Sequence, residues 1–311
     1  MGKETEQPER LFVEQNYDIG AVEKLQKINA GRSSMAMLVA AGSGQYVLRR
    51  LRNRQQAELE YKISHKLLHF ELCPPILLAR DMRPFAQNED ECYNLQLYMD
   101  NDPKGSEEVD DVKLGHAIAV FHLELAALDG LPQPDRFELG AMWSTIQNRD
   151  NTDSSSWMRS LAERVQELLS FELSSSNTSS CSGDWIHGDL GKWNMLFPRS
   201  RKRSSVLLID FGEARKGNRH FDMAAVLASL LKSCRTDEDW KRRISAFAYG
   251  YQSGGKVVDF AELAAYTEFW LIRGAVAVLA HNGTTEASAR FVREVMATID
   301  RYKRIYSDRV S

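Results

Sequence analysis

The sequence predicts an α+β fold, with strands gathered early in the chain and helices late. Three observations carry that prediction. Before residue 100, apolar runs of strand length alternate with short turns rich in Gly, Pro and Asn. After residue 220, apolar residues recur at helical spacing over long stretches. The chain contains no internal repeats.

In chain order, residues 1–20 read as a polar lead-in with a short helix. Lys24–Ile28 is a first strand, and Asn29-Ala30-Gly31-Arg32-Ser33-Ser34 is the turn after it. Met35–Ala41 and Gln45–Leu51 are strands joined by Gly42-Ser43-Gly44, a hairpin signal. Arg54–Phe70 has helical periodicity, with Leu59, Ile63, Leu67 and Phe70 on one face, until Pro74-Pro75 ends the pattern. Tyr93–Met99 is a strand, and the polar stretch Asp100–Glu108, holding Pro103 and Gly105, is a crossover. Val112–Leu128 is a helix carrying Leu114, Ile118, Phe121 and Leu125. Ser154–Leu173 is another, after a cap-rich Thr-Asp-Ser run, and Ser174–Ser182 is a Ser-rich loop. Met195–Phe197 and Val206–Ile209 are strands, with the basic run Arg199–Arg203 in the turn between them. From Phe221 the chain is helical, chiefly over Trp240–Gly250, Phe260–Ala280 and Ala287–Tyr306.

Composition narrows the function classes. A chain of 311 residues with 43% hydrophobic residues is long enough to bury sizeable cores. A net charge of −3 supplies no basic field for nucleic acid. Cys73, Cys92, Cys181 and Cys234 show neither metal-ligand spacing nor a disulfide framework, which points to a reducing cytoplasm. The charged segment Met1–Arg10 is no signal peptide, and no apolar run reads as long enough to span a bilayer, so no membrane partner is expected.

Two motifs carry the chemistry. The first is Ile186-His187-Gly188-Asp189-Leu190-Gly191-Lys192-Trp193-Asn194, and the second is Leu207-Leu208-Ile209-Asp210-Phe211-Gly212. They supply an Asp, an Asn five residues later, and an Asp at the end of an apolar strand. Phosphoryl transfer from ATP uses such a set: one carboxylate orients the attacking hydroxyl, while an amide oxygen and a second carboxylate hold Mg²⁺. By this reading Asp189 is the catalytic base, and Asn194 and Asp210 are the metal ligands. Asp210 ends the apolar run Val206–Ile209, where an unpaired charge is costly, so a metal or a salt bridge must compensate it.

With Gly where protein kinases usually carry Arg in His187-Gly188-Asp189, the chain resembles the aminoglycoside phosphotransferase and choline kinase superfamily. The resemblance spans most of the sequence and is strongest from Asp184 to Ala225. It implies a bilobal, protein-kinase-like fold. Residues 1–99 would form a nucleotide-binding lobe with a small antiparallel sheet, and residues 100–311 a larger, mainly helical catalytic and substrate-binding lobe. It further implies ATP and Mg²⁺ as cofactors, and structural support of the catalytic loop by His187 and Asp222; for Asp222 an ordinary helix N-cap is the bland alternative.

In the first lobe the resemblance assigns ATP binding to several positions. Gly31, Ser33 and Ser34 would cover the phosphates, with a plain hairpin turn as the competing reading. Arg49 stands where the family usually has Lys, and Glu60 is the helix acid that would pair with it, with Glu58 as the alternative. Arg50 should face the other way on the strand. Tyr98, Met99 and Asp100 match the segment whose backbone receives adenine.

The acceptor is expected to be a hydroxyl of a small molecule, of aminoglycoside, choline, homoserine or sugar type. Asp259, Glu262, Tyr266, Glu268 and Trp270 form an acidic and aromatic mixture that suits a cationic amine; an amphipathic helix with its aromatics in the core is the alternative. A monomer or homodimer is expected. The alternative function is a non-catalytic kinase-like binding or structural protein, motivated by Arg49 and the sparse Gly loop.

Overall fold

A computed structural model describes residues 7–28, 35–102, 104–149, 155–178, 183–198, 206–231 and 234–310. By its contacts the chain divides into two compact units. The first comprises Met1–Asp110, Leu123–Gln133 and Asn194–Gly212; the second comprises Asp111–His122, Pro134–Trp193 and Glu213–Ser311. The contact division therefore runs past residue 99 and returns later segments to the first unit.

The first unit opens with helix α1 (Gln7–Asn16) and strands β1 (Val22–Ile28), β2 (Ala36–Ala41) and β3 (Gly44–Leu51). Helix α2 (Arg54–Leu67) follows, then β4 (Ile76–Leu77), β5 (Ala86–Asn88), β6 (Glu91–Leu97) and the single-turn helix α3 (Gly105–Glu108). The strands form one antiparallel sheet in the order β1-β2-β3-β6-β4, with β5 also paired to β6. Strand alternation gives the sheet two faces. Leu25, Val39, Tyr46, Leu48 and Leu95 share a core with Val13 and Tyr17 of the N-terminal segment. The Tyr17 hydroxyl donates to the Tyr93 carbonyl at 3.1 Å, and Glu14 accepts from the Val22 amide at 2.7 Å, which fixes α1 to the sheet. On the other face Leu51 and Cys92 cluster with Ala57 of α2 and Phe85. The two- and three-residue strands β4 and β5 are too short to carry a readable alternation.

Helix α2 starts where Asn53 accepts from the Gln56 amide at 2.9 Å, an N-cap. Leu59, Ile63 and Leu67 are buried as expected, but Phe70 is 44% exposed. The last turn, Leu68–Phe70, tightens to a 3₁₀ helix, whose shorter turn rotates Phe70 off the apolar stripe.

The second unit is built on helices α4 (Asp111–Glu124), α5 (Leu139–Arg149) and α6 (Ser156–Thr178), then α7 (His220–Leu231), α8 (Asp237–Ser253), α9 (Phe260–Asn282) and α10 (Glu286–Val310). A short antiparallel pair joins β7 (Asp184–Ile186) to a strand at Arg215–Gly217. The first unit reclaims β8 (Met195–Leu196) and β9 (Leu207–Leu208), which pair with each other, so the Arg215–Gly217 strand is β10. Helix α4 stops four residues before the expected Leu128, giving way to turns at Ala126 and Leu128. Helix α6 continues through the Ser-rich stretch to Thr178, because Ser costs a helix only a few tenths of a kcal/mol. The basic run Arg199–Arg203 lies outside the described residues.

Helix α7 is buried along nearly its whole length, so it packs on all sides rather than along a stripe. Helices α4 and α8 cross in backbone contact: a Cβ on Gly115 would sit 2.0 Å from the Phe247 carbonyl, and one on Gly250 1.8 Å from that of Val112. Arg243 of α8 clamps this crossing through a 2.7 Å ion pair with Asp111. Helix α9 corrects one expectation. Its 23 residues are long and apolar enough to cross a membrane by length and composition, yet half of that stretch is buried within the protein. It packs against α5, α7 and α10, which accounts for its hydrophobicity.

Cys73, Cys92 and Cys234 are free thiols. Burial pushes the Cys73 thiol up to about 11, against a lowering hydrogen bond with Ser64, and burial likewise pushes Cys92 up to about 11. Native alkylation at neutral pH, read by peptide mass spectrometry, is therefore expected to modify Cys234 well before Cys73 or Cys92. Equal rates at the three would contradict this burial.

Candidate active site

The metal-ligand candidates belong to the first unit. Strand β8 pairs with β9, Met195 opposite Leu208 and Leu196 opposite Leu207. One further bond, from the Ile209 amide to the Asn194 carbonyl at 3.1 Å, extends this ladder. Asn194 and Asp210 are thereby held at neighbouring ends of two short paired strands. Asn194 is buried, whereas the Asp210 side chain keeps 37% of its surface. Asp210 has φ of 64°, an unusual backbone for a residue with a side chain, of the kind that concentrates at functional sites.

Arg49, on β3, ties this carboxylate to the sheet. Its Nη2 lies 2.5 Å from Asp210 Oδ1, and its Nη1 2.7 Å from Glu60 Oε2. Glu58 is exposed, and Arg50 faces away and pairs with Glu91 at 2.7 Å. Glu60 is almost wholly buried and accepts from Gln56 Nε2 at 2.7 Å. Gln56 in turn accepts from Arg52, whose guanidinium reaches the Gly212 carbonyl. Burial opposes the charge on Arg49, but Asp210 and Glu60 outweigh it and raise its pKa. The guanidinium fork suits this double bridge in a way that a Lys ammonium, a single point charge, does not.

Arg49→Ala should cost about 3–5 kcal/mol, since it strands the buried Glu60; the half-open Asp210 adds little because water screens it. Arg49→Lys should fall between Ala and wild type, and urea melts of the three proteins check the order.

The donor set fits Mg²⁺. One carboxylate and one amide oxygen are hard ligands, and few are needed when phosphate and water complete the shell. Among the described residues no group of three or more His, Cys, Asp or Glu could hold a metal, so nothing nearby competes as a transition-metal site.

The other site residues of the first unit are less informative. The Tyr98 amide donates to the Gln45 carbonyl at 3.0 Å; Tyr98 and Met99 are half-buried and Asp100 is exposed. Gly31, Ser33 and Ser34 lie outside the described residues.

The second unit holds Asp189 on the loop after β7. Gly188 has φ of 80°, and a Cβ there would fall 1.9 Å from Arg215 and 2.4 Å from the Glu213 carbonyl. The position thus demands Gly, and Arg215 uses the space to donate to the Gly188 carbonyl at 3.2 Å. Asp222, fully buried, holds the loop from behind by accepting from the His187 amide at 2.6 Å and the Gly188 amide at 3.0 Å. It lies inside the first turn of α7, so it is no N-cap; it grips the loop instead of the helix.

An ionised carboxylate only accepts, so His122 Nε2 is the donor to Asp222 at 3.1 Å, and its Nδ1 shares a hydrogen bond with the Tyr251 hydroxyl at 2.8 Å. Burial alone would push the Asp222 carboxyl up, but His122 and the His187 amide outweigh it and hold it below the usual carboxylate range.

Trp193 donates from Nε1 to Asp189 Oδ2 at 3.2 Å and stacks on Trp270, centroids 6.0 Å apart and planes 19° from parallel. It folds over Gly191, where a Cβ would strike the indole at 2.3 Å. A cavity of about 360 Å³ opens beside Asp189, walled by Phe137, Trp193, Trp270, Leu271, Phe291 and Val295.

The acidic and aromatic mixture on α9 does not gather at this cavity. Asp259 caps the helix by accepting from the Ala261 and Glu262 amides. Glu262 pairs with His220 at 2.8 Å, and Glu268 pairs with Lys303 at 2.9 Å and Arg164 at 3.3 Å. Tyr266 packs edge-on against Phe269, and only Trp270 of the five lines the cavity.

A model of the APH phosphotransferase enzyme family matches residues 24–266. The chain belongs to this family. Among solved structures, a microcompartment-associated aminopropanol kinase shares 19% identity at a TM-score of 0.71, over 97% of this chain and 98% of that one. An aminoglycoside phosphotransferase from Alicyclobacillus acidocaldarius shares 15% identity at a TM-score of 0.68, over 96% and 94%. An amicoumacin kinase in complex with AMP-PNP, Ca²⁺ and Ami shares 15% at 0.69, over 99% and 96%. At these identities the likeness establishes the kinase-like fold of the phosphotransferase family, with its antiparallel sheet first and its helices after. No match is found among curated protein sequences.

Sequence reasoning passed over Trp193, although it sits inside the first motif. It also passed over Gln56, whose i,i+4 spacing to Glu60 was available. His122, Tyr251 and Arg215 gave no signal, because their partners lie 27 to 129 residues away.

Proposed function

We propose that this family member transfers the γ-phosphate of ATP, with Mg²⁺, to a hydroxyl of a small molecule. The observation that carries the reading is the chain Glu60–Arg49–Asp210, which ends on a carboxylate held beside Asn194. In this reading Asn194 and Asp210 would hold the magnesium, which neutralises charge on the phosphates when bound. Arg49 would meet phosphate oxygens with the part of its fork turned to Asp210. Gly31, Ser33 and Ser34 would cover the phosphates, and Tyr98–Asp100 would receive the adenine by their backbone. Residues 1–99 would act as the nucleotide-binding lobe and residues 100–311 as the catalytic and substrate-binding lobe.

The acceptor oxygen forms its bond to the γ-phosphorus as the bond to the ADP oxygen breaks. Its proton passes to the Asp189 carboxylate, which the Trp193 N–H keeps oriented. Asp222 and His187 hold the loop that presents Asp189. The complex of the amicoumacin kinase with AMP-PNP and Ca²⁺ supports a nucleotide and a divalent cation as the partners here too. The free thiols support a reducing, cytoplasmic setting.

The test is thermal stabilisation by ATP across divalent metals, followed by ADP release against a panel of alcohols. Mg²⁺-dependent stabilisation is expected in the wild type and should vanish in Asp210→Asn, measured against that variant's own baseline. No stabilisation of the wild type with any divalent metal would refute the reading.

A further inference from the structure

We infer that the acceptor is a flat, aromatic hydroxy compound with no positive charge. This rests on the reading of Asp189 as the base, since the cavity concerned is the one beside that carboxylate. The first argument is the wall. Four aromatic side chains, Phe137, Trp193, Trp270 and Phe291, surround a space of about 360 Å³, within the range of small-molecule sites. Trp193 is 54% exposed and contributes a broad indole plane that a stacked ring would cover.

The second argument is charge. The acids of α9 do not reach the cavity: Glu268 is committed to Lys303 and Arg164, Asp259 to the α9 cap, and Glu262 lies outside the lining. Asp135, behind the cavity, is claimed by Arg215 at 2.9 Å and Arg273 at 3.0 Å. Burial would raise the Asp135 carboxyl, yet these two cations outweigh it and keep it ionised. At and behind the cavity, Lys192, Arg273 and Arg215 stand against the two carboxylates Asp189 and Asp135. Among the described residues no carboxylate pairs with the Lys192 ammonium. A polyamine entering here would meet more positive than negative charge, and Asp189 is the one acid that cannot be spent on binding.

The third argument is Gly274. It lies in the middle of α9, where Gly costs about 1 kcal/mol relative to Ala, and it lines the cavity. A Cβ there would meet nothing within 4 Å, so no packing contact requires Gly. What the missing side chain leaves is room for a ligand.

The experiment measures binding of naphthylmethanol by calorimetry to the full chain with Mg²⁺ and ADP present, together with ADP release against naphthylmethanol, choline, homoserine and kanamycin. Wild type should bind and phosphorylate the aromatic alcohol in preference to the three amines. Gly274→Phe, whose Cβ meets nothing within 4 Å and whose ring takes up cavity space, should weaken naphthylmethanol binding by about tenfold or more. No naphthylmethanol binding to the wild type, or equal binding by Gly274→Phe, overturns the inference. Preferred turnover of an amine overturns it while leaving phosphotransfer standing. Failure of ATP to stabilise the wild type with any metal takes down both.

Discussion

Asp189→Asn is expected to lower kcat by about a thousandfold while leaving Mg²⁺-dependent stabilisation by ATP intact. Asn keeps the size of the side chain and an oxygen for the Trp193 N–H, 3.2 Å away in the wild type, so the loop should hold its shape. What it removes is the group proposed to take the acceptor's proton as the new P–O bond forms. The proposed metal ligands, Asn194 and Asp210, are separate side chains and are left in place. ADP release and thermal melts on the same preparation check the two halves. A loss of kcat below tenfold would show that Asp189 does not accept the proton. Loss of the ATP-induced shift would show that the substitution acts through nucleotide binding instead.

Asp222→Ala should destabilise the second unit by about 3–5 kcal/mol. Asp222 is fully buried and accepts from two loop amides and from His122. Removing it leaves all three donors buried without their acceptor, and the loop that carries Asp189 loses its anchor. Asp222→Asn should cost less, since one oxygen remains to accept.

The same contacts predict a pH dependence. The folded carboxyl is held below its ordinary value of 3.8, so the stability it contributes is fully present above that value. It is lost as the pH falls from there through the folded pKa. Urea melts of the wild type should weaken on acidification below about pH 4, and Asp222→Asn should flatten that limb of the curve. An unchanged limb in the variant would mean that other carboxylates carry the acid sensitivity.

The motifs were legible because they are local. Asp189 and Asn194 stand five residues apart on one loop, and Asp210 ends an apolar run, so spacing and hydropathy alone single them out. Arg49 and Glu60 are eleven residues apart on adjoining elements; their pairing was implied by the family resemblance, and the structure chooses Glu60 over Glu58. Helix α5 carries its own signal in Leu139, Trp143 and Ile146 at helical spacing, which went unread. Phe70 followed that spacing and still missed the core, because the tightening of its turn leaves no mark in hydropathy.

The substrate side was illegible for a different reason. Glu268 reads from the sequence as a free acid beside Trp270, but Arg164 and Lys303, on other helices, claim it. Helix α9 is long and apolar enough by composition to cross a membrane, against the sequence expectation, and half of that stretch is buried against its neighbours.

The sequence by itself determined that strands come first and helices after, and it displayed the two motifs with their three oxygen-bearing side chains, because each depends on neighbours along the chain. Tertiary structure alone decided which acids are neutralised, which aromatic rings wall the cavity, and which side chains, His122 and Tyr251, back Asp222 beneath the loop that carries Asp189. Those depend on partners tens to more than a hundred residues away, and charge pairing at that range has no period for a sequence to display.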